Sequence, residues 1–169
     1  MIEVEFNGGA EIERLFAQVS THLSDLRPLM QDIGEQQIAA TRARFLAGQA
    51  PDGSVWAPKS PATLAAQAAR RDPVDNRPLI ASGTLHRTLN YQIGADGASV
   101  TIGSGQIYAA VQQFGAAKGA FGEDSRGRSI PWGDIPARPY LGLSDQDRTD
   151  IAAIITEWLE SAVPDRSGP

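Results

Sequence analysis

The hydrophobic pattern near the amino terminus predicts a strand followed by two helices. Residues 2–6 (IEVEF) alternate between apolar side chains and glutamates, which is the period of two expected for a strand with one buried face. From residue 10 to 26 the apolar positions recur every three or four residues, as on an amphipathic helix. Because a residue before proline is pushed out of helical geometry, Arg27-Pro28 separates this helix from a second one, for which Gly48 is the natural stop.

The pattern then becomes irregular. Residues 50–61 are rich in proline and contain an Asp-Gly turn, and we expect Trp56 to pin this loop to the body. An alanine-rich helix follows over residues 62–70, and it has little apolar surface to bury, so we expect it to be exposed. Ser82 is suited to cap a short helix that extends to Leu89.

The clearest turn signal is Asp96-Gly97, whose residue types supply the positive backbone angles of a tight hairpin turn. It joins two alternating segments, residues 90–95 and 98–103, which predicts an antiparallel hairpin. Residues 106–114 indicate a further short helix, and the glycine that follows would stop it.

The last third of the chain combines a loop, an extended segment and a helix. Residues 116–129 are rich in glycine and charge, which indicates a flexible loop. Residues 135–143 contain two prolines, so they fit an edge strand or an extended segment. The acidic run at 144–147 suits the first turn of a final amphipathic helix, which Val163-Pro164 would end.

This order of elements predicts an α+β fold, in which a small, mainly antiparallel sheet packs with several helices and carries long proline- and glycine-rich loops. A length of 169 residues suits one domain, which we assign to residues 1–163, with a polar tail at 164–169. The acidic amino terminus and the lack of a long apolar run give no secretion or membrane signal, so we expect the protein to stay in the cytoplasm where it is made.

Composition excludes several classes of chemistry. Fifteen basic against twenty acidic residues give a net charge of −5, which argues against a surface that coats nucleic acid. With no cysteine the chain has no disulfide, thiolate nucleophile, zinc finger or iron–sulfur cluster, and two histidines are too few for an imidazole-rich metal site. We therefore expect no metal and no cofactor.

The sequence shows no catalytic constellation. Neither His22 nor His86 is near a nucleophile-elbow motif. Gly103-Ser104-Gly105 precedes a predicted helix, but Tyr108 stands where a dinucleotide-binding loop needs its third glycine. Carboxylates are available at several positions, and their spacing does not bring any chosen pair together, so we expect a non-enzymatic protein.

Aromatic side chains in irregular segments are the features that catalysis does not explain. Such side chains anchor a loop to its own domain or to a partner, and both readings stay open at this point. The arginines at 126 and 128 resemble a short basic binding loop, although Glu123 and Asp124 beside them cancel most of their field. The interface candidates are Trp56, Tyr108, Phe114, Arg126, Arg128, Trp132, Arg138 and Tyr140.

Four stretches in fixed order carry a family resemblance: RFLAGQAPDGSVWAPKSPATL, RPLIASGTLHRTLNYQI, IYAAVQQFGA and IPARPYLGLSDQD, followed by a terminal helix. As a set, over residues 44–160, they resemble the bacteriophage virion morphogenesis family, the tail-completion proteins of Mu-like and related phages. A longer, charged insert at residues 118–129 departs from the common pattern, and the amino-terminal region matches only in general character.

The resemblance implies a structural protein of the head–tail junction, that is, a tail completion, tail terminator or neck protein. Such a protein would assemble with itself as a ring, with a hexamer as one candidate size, and contact the tail tube and the neck or head-completion proteins. DNA would at most pass through the ring, and no membrane partner is implied. The protein would act in the host cytoplasm during assembly and then remain in the virion.

Two other functions stay open beside this one. The first is a capsid-side assembly factor that is not retained in the virion, and the second is a phage hydrolase, which would need a convergent polar cleft. If the ring reading holds, Trp56, Arg138 and Tyr140 are expected to contribute to packing or contacts near a subunit interface.

Overall fold

The computed structural model describes residues 9–70 and 76–163. The strand predicted at residues 2–6 and the tail at 164–169 lie outside the described residues. The described part is an α+β arrangement of six helices and two strands, as the sequence predicts. Its elements are α1 (Gly9–Leu23), α2 (Arg27–Ala47), α3 (Pro61–Ala69), α4 (Thr84–Arg87), β1 (Leu89–Ile93), β2 (Val100–Ser104), α5 (Ala109–Phe114) and α6 (Asp145–Ser161).

The predicted break between the first two helices is confirmed. Helix α1 ends at Leu23, and α2 carries Pro28 in its first turn, where a missing backbone N–H costs nothing. Helix α2 ends at Gly48, which takes the left-handed conformation at φ +70° and donates its N–H to the carbonyl of Arg44 at 2.8 Å. Proline and glycine thus define both ends of the longest helix.

Helix α3 also forms where alanine propensity predicts it. Ser60 caps it by accepting a hydrogen bond from the Thr63 backbone nitrogen at 3.2 Å. The helix is largely exposed, as expected, and Gln67 is its buried residue. The prediction for the next helix is partly wrong, because α4 stops at Arg87 and Leu89 begins a strand instead.

Strands β1 and β2 form the predicted antiparallel hairpin. Their register runs from Leu89 opposite Ser104 to Ile93 opposite Val100. The turn differs from the prediction, because Gly97 alone of the Asp-Gly pair has a positive φ, at +70°. Asp96 contributes through its side chain, whose carboxylate accepts a hydrogen bond from the Ala98 backbone nitrogen at 3.0 Å.

The predicted flexible loop folds back on itself. Residues 116–135, here called the arm, are closed at the base by an antiparallel bridge between Ala116 and Ile135. Further out, the Phe121 nitrogen donates to the Ile130 carbonyl at 2.8 Å. The arm is therefore held by backbone pairing, whereas its glycine content alone indicates a loop without regular structure. Its glycines with positive φ form the turns between the paired positions.

Residues 135–143 are extended, which agrees with one of the two predicted readings. The edge-strand reading is wrong, since beyond the bridge at Ile135 this segment joins no strand among the described residues. Helix α6 then begins as predicted. Ser144 accepts a hydrogen bond from the Asp147 nitrogen at 3.1 Å, and the Asp147 carboxylate accepts one from the Ser144 nitrogen at 2.7 Å, a complete capping box.

Helix α2 is the centre of the packing, because it lies against both strands and against α6. Close approach to the sheet requires Gly34, where a Cβ atom would lie 2.7 Å from the ring of Tyr91. The predicted apolar stripe of α6 is half-buried, and Leu159 at its end is exposed. The buried core consists of Ile38, Phe45, Ala50, Trp56, Leu85, Leu89, Ala109 and Tyr140.

One ion pair joins α2 to the start of α6. The Arg44 guanidinium donates to the Asp147 carboxylate at 2.6 Å, and Asp147 is only 2% exposed. Burial raises the pKa of Asp147, but the hydrogen bonds from Ser144 and the charge of Arg44 outweigh it and hold the pKa below the ordinary value. The carboxylate therefore stays ionised where it caps α6.

We expect Asp147→Asn to lower the free energy of unfolding by about 2–3 kcal/mol at neutral pH, because it breaks a buried ion pair while keeping one hydrogen-bond acceptor. The pKa of Asp147 is lower in the folded state than in the unfolded state, where it is about 4. The contribution of Asp147 to stability is therefore complete above the unfolded pKa and is lost as the pH falls through the folded pKa. The variant should thus lose less stability on acidification than the wild type. Urea denaturation at neutral and acidic pH measures both effects.

The matched control is Asp145→Asn, which changes an exposed carboxylate in the same helical turn. It should lower stability by no more than about 0.5 kcal/mol. Equal losses in the two variants would mean that the Arg44 pair contributes nothing beyond the helix dipole.

Gly34→Ala should destabilise the fold by about 1–3 kcal/mol, because the added methyl group would overlap the Tyr91 ring and force the hairpin away from α2. Gly103→Ala is the control, since nothing lies within 4 Å of its Cβ position on β2. Thermal unfolding of the two variants tests the packing, and a neutral Gly34→Ala would show that α2 and the sheet are not held this closely.

Candidate functional site

Phe45, near the end of α2, contacts aromatic side chains from three other segments of the chain. It is completely buried, and three rings surround it with centroid distances of 5.4 Å for Trp56, 5.3 Å for Tyr140 and 5.7 Å for His86. Edge and tilted arrangements at these distances are favourable for aromatic pairs. The cluster therefore joins the loop after α2, the extended segment and α4 at one point of the core.

Trp56 pins its loop to the body, as predicted. The side chain is 3% exposed, and its indole N–H donates to the carbonyl of Pro139 at 2.8 Å. Its backbone nitrogen donates to the carbonyl of Gly48 at 2.9 Å. The tryptophan thus closes the loop on itself and fastens it to the extended segment.

Arg138 fastens the same two segments from the other side. Its guanidinium donates to the carbonyl of Ala57 at 2.7 Å and to that of Pro58 at 2.9 Å, and the residue is 8% exposed. Burial lowers the pKa of this guanidinium, which nevertheless stays protonated because its ordinary pKa is so high. The charge is therefore used to bind loop carbonyls within the chain.

Gln113 of α5 takes the place of a neighbouring strand. Its side-chain oxygen accepts hydrogen bonds from the backbone nitrogens of Tyr140 at 2.9 Å and Leu141 at 3.0 Å, while its amide nitrogen donates to the Leu141 carbonyl at 3.1 Å. The sequence pattern does not predict that this side chain binds the backbone of the extended segment. Two glutamines, Gln112 and Gln113, stand in this otherwise apolar short helix, and nothing in the sequence distinguishes the one that has this role.

Three of the eight interface candidates, Trp56, Arg138 and Tyr140, are buried. Together with Phe45 and Gln113 they form what we call the clamp, which joins the loop after α2, helix α5 and the extended segment. Their polar atoms bind other parts of the same chain, and Tyr140 is only 1% exposed. Within one copy these three side chains therefore pack inside their own chain, and their contribution near a subunit interface stays a prediction.

The other candidates lie on the outside of α5 and the arm. Phe114 is 77% exposed, Trp132 is 69% exposed, and Tyr108 lies at the start of α5. The arm follows α5 directly, so these side chains belong to one continuous stretch of the chain. We call this the arm–α5 surface and define it by Ile107, Tyr108, Phe114, Phe121, Arg126, Arg128 and Trp132.

The guanidinium of Arg128 is occupied by contacts within the arm. Arg128 forms an ion pair with Asp124 at 2.6 Å, and its guanidinium lies 4.7 Å from the ring centroid of Trp132. The hydrogen bond from Arg128 is the main cause that lowers the pKa of Asp124. The same carboxylate also accepts the Arg126 backbone N–H at 2.9 Å. Asp124 thus neutralises the charge of Arg128, while the expected cancellation of the Arg126 charge stays a prediction.

An open groove of about 700 Å³ lies where the arm meets α3. Asp134 at its wall accepts a hydrogen bond from the Lys118 backbone nitrogen at 2.8 Å, which fixes the base of the arm. The groove thus has defined walls beside the exposed aromatic side chains. Its lining includes Lys59, Thr63, Gln112, Trp132, Asp134 and Arg138.

The two histidines are placed in structural contacts. His86 packs against Phe45, and burial together with the charges of Arg42 and Arg87 lowers its pKa. His22 stacks on Trp158 and places Nε2 3.1 Å from the Trp158 carbonyl, so Nε2 must be the protonated nitrogen. The Ser161 hydroxyl lies 3.5 Å from that nitrogen but donates to the Trp158 carbonyl at 2.7 Å. This pair lacks the acceptor nitrogen of a Ser-His dyad.

Within residues 9–70 and 76–163, no group of three or more histidine, aspartate or glutamate side chains is arranged to hold a metal ion. In the same part of the chain, none of the helices combines the length and apolarity that crossing a membrane requires.

A model of the phage virion morphogenesis family matches residues 8–160. The chain belongs to this family. It is 29% identical over 160 residues to the Mu-like prophage FluMu G protein 2 of Haemophilus influenzae, which covers 95% of this chain and 97% of that relative. It is also 29% identical over 141 residues to the tail completion protein S of Escherichia phage P2, with 81% and 86% covered. No solved structure matches significantly.

In this morphogenesis protein, the buried and exposed tryptophans should respond differently to the same substitution. Trp56→Phe should lower the free energy of unfolding by about 1–3 kcal/mol, because it leaves the Pro139 carbonyl without its donor. Trp132→Phe should leave stability within about 0.5 kcal/mol of the wild type. Denaturant titration decides, and similar losses would mean that the arm is part of the folding core.

Proposed function

We propose that this protein completes the phage tail as a non-enzymatic structural component of the head–tail junction, and that it acts by assembling with itself as a ring and by binding other tail and neck proteins. The observation that carries the proposal is the family match over residues 8–160, together with the similarity to a protein named for tail completion. Both extend across nearly the whole described fold.

The distribution of apolar surface supports assembly through protein contacts. Large apolar side chains are exposed on the arm–α5 surface and, separately, on α1, where Phe16 is 72% exposed. Exposed apolar patches on soluble proteins mark contact sites. A cyclic ring needs two different patches on each subunit that fit each other, and two separate regions with exposed apolar side chains are compatible with this requirement.

The charge balance supports a passive relation to DNA. A net charge of −5 repels the phosphate backbone, and one of the two arginines at the arm tip, Arg128, is already paired with Asp124. A junction component must let DNA pass without holding it. Tight, salt-dependent binding of duplex DNA by the purified protein would argue against this placement.

The capsid-side alternative and the hydrolase alternative make different claims. A junction component should be present in purified virions in a fixed ratio to the other tail proteins, whereas an assembly factor should be absent from them. A hydrolase would need a paired nucleophile and base, and the geometry of His22 and Ser161 provides no such pair.

The double variant Phe114→Ala/Trp132→Ala should keep the wild-type melting temperature, because both side chains are exposed, and should lose assembly. Native mass spectrometry, alone and with tail tube protein, measures assembly. Complementation of a phage that lacks the gene, followed by electron microscopy of the particles, measures tail completion.

The matched control is Val55→Ala, whose side chain is as exposed as that of Phe114 but lies on the loop after α2. It should assemble and complement normally. Normal complementation by the double variant would remove the arm–α5 surface from the proposal.

A further inference from the structure

The outer edge of β2 is open in the described structure. The sheet has two strands, and β1 occupies one edge of β2. Across the described ranges, the opposite edge of β2 has no backbone partner in another strand. An open edge presents unpaired N–H and C=O groups, so it is a template for one more strand.

An apolar groove adjoins this open edge. A cavity of about 380 Å³ lies between α2, β2, α6 and the residues after Tyr140. Gln37 of α2 lines it, is 2% exposed, and has a side-chain nitrogen without a hydrogen-bond partner. A buried amide donor without an acceptor is costly, which indicates that something supplies one. The apolar lining is Ile33, Val100, Ile102, Leu141, Leu143 and Ile151.

The two faces of the sheet define what kind of strand fits. Tyr91 and its register partner Ile102 are on the face that packs on α2, whereas Gln92 and its partner Thr101 are exposed on the other face. A strand added beside β2 should therefore be apolar at every second position and polar between. Residues 2–6 of this chain, IEVEF, have this pattern.

The position of α1 favours a donor on another copy. The contacts of α1 with the body are near its carboxyl end, where His22 meets Trp158, while Ile12 and Phe16 are exposed. Gly9 is thirteen residues from His22, which is about 20 Å along a helix. Only residues 7 and 8 connect α1 to residues 2–6, and two residues span about 7 Å at most. Residues 2–6 therefore leave α1 at the end that is away from these contacts, which favours an acceptor edge on another copy.

We propose that residues 2–6 of one copy add as a strand to the outer edge of β2 in a second copy, with Ile2, Val4 and Phe6 in the apolar groove and a backbone carbonyl facing Gln37. The exchange rests on the self-assembly part of the proposed function and names its contact. It gives each subunit one donor strand and one acceptor edge, the two unlike patches that a closed ring requires.

The absence of cysteine in the full sequence allows a clean crosslinking test. Glu3→Cys and Glu5→Cys place thiols on the polar side of the donor, and Thr101→Cys places one on the exposed side of β2. Facing residues on adjacent strands lie within disulfide range, so a mixture of one donor variant with Thr101→Cys should form a disulfide-linked dimer under mild oxidation. Gel electrophoresis with and without reductant measures it.

Gln92→Cys is the matched control, since it lies opposite Thr101 on β1. It would be one strand further from the donor, at about 10 Å, beyond disulfide reach. Equal crosslinking to Gln92→Cys, or none to Thr101→Cys from either donor, overturns the proposal. A double variant with both thiols that forms only an intramolecular disulfide also overturns it, because the donor would then be the same chain.

A second variant tests the energetic claim without crosslinks. Val4→Asp places a charge in the groove, so the variant should fall to the monomer mass of 18.0 kDa at concentrations where the wild type is assembled. Its melting temperature as a monomer should be unchanged. If Val4→Asp stays assembled, strand exchange is wrong while ring assembly stands. If the wild type itself is monomeric, with and without tail tube protein, the self-assembly part of the proposed function fails.

Discussion

Backbone polar groups that enter the core without a neighbouring strand must find side-chain partners, and the extended segment after the arm depends on this constraint. Gln113 binds the backbone of Tyr140 and Leu141, and Trp56 binds the carbonyl of Pro139. Arg138 in turn binds carbonyls of the loop after α2. These side chains supply the hydrogen bonds that a neighbouring strand would otherwise supply. Buried N–H and C=O groups left unpaired would destabilise the fold.

The clamp explains how a protein with so little regular sheet can present defined loops. The arm begins at α5 and ends at the extended segment, and Gln113 joins these two elements. Both ends of the arm are therefore fixed to the core, although its tip is exposed. Exposed aromatic side chains on a fixed base lose little conformational freedom when a partner binds, which favours specific contacts.

The described part of the chain leaves apolar side chains exposed on several different elements. The α1 stripe, the groove beside β2 and the arm–α5 surface are each partly exposed. Exposed apolar surface is typical of proteins that contact partners, which agrees with membership of a virion morphogenesis family. Within a single copy, the packing around Phe45 and the Arg44–Asp147 pair join distant parts of the described chain.

Local rules determined both ends of α2, the start of α6 and the existence of the hairpin. Pro28, Gly48 and Ser144 act on the few residues beside them, so their effect is readable in the sequence. The tertiary structure alone decided which aromatic side chains are buried. Trp56 and Trp132 both follow a proline-containing loop pattern, yet only Trp56 meets Phe45 and the Pro139 carbonyl, which are distant in sequence. The role of Gln113 and the pairing within the arm were likewise hidden, because hydrogen bonds between distant segments leave no periodic pattern along the chain.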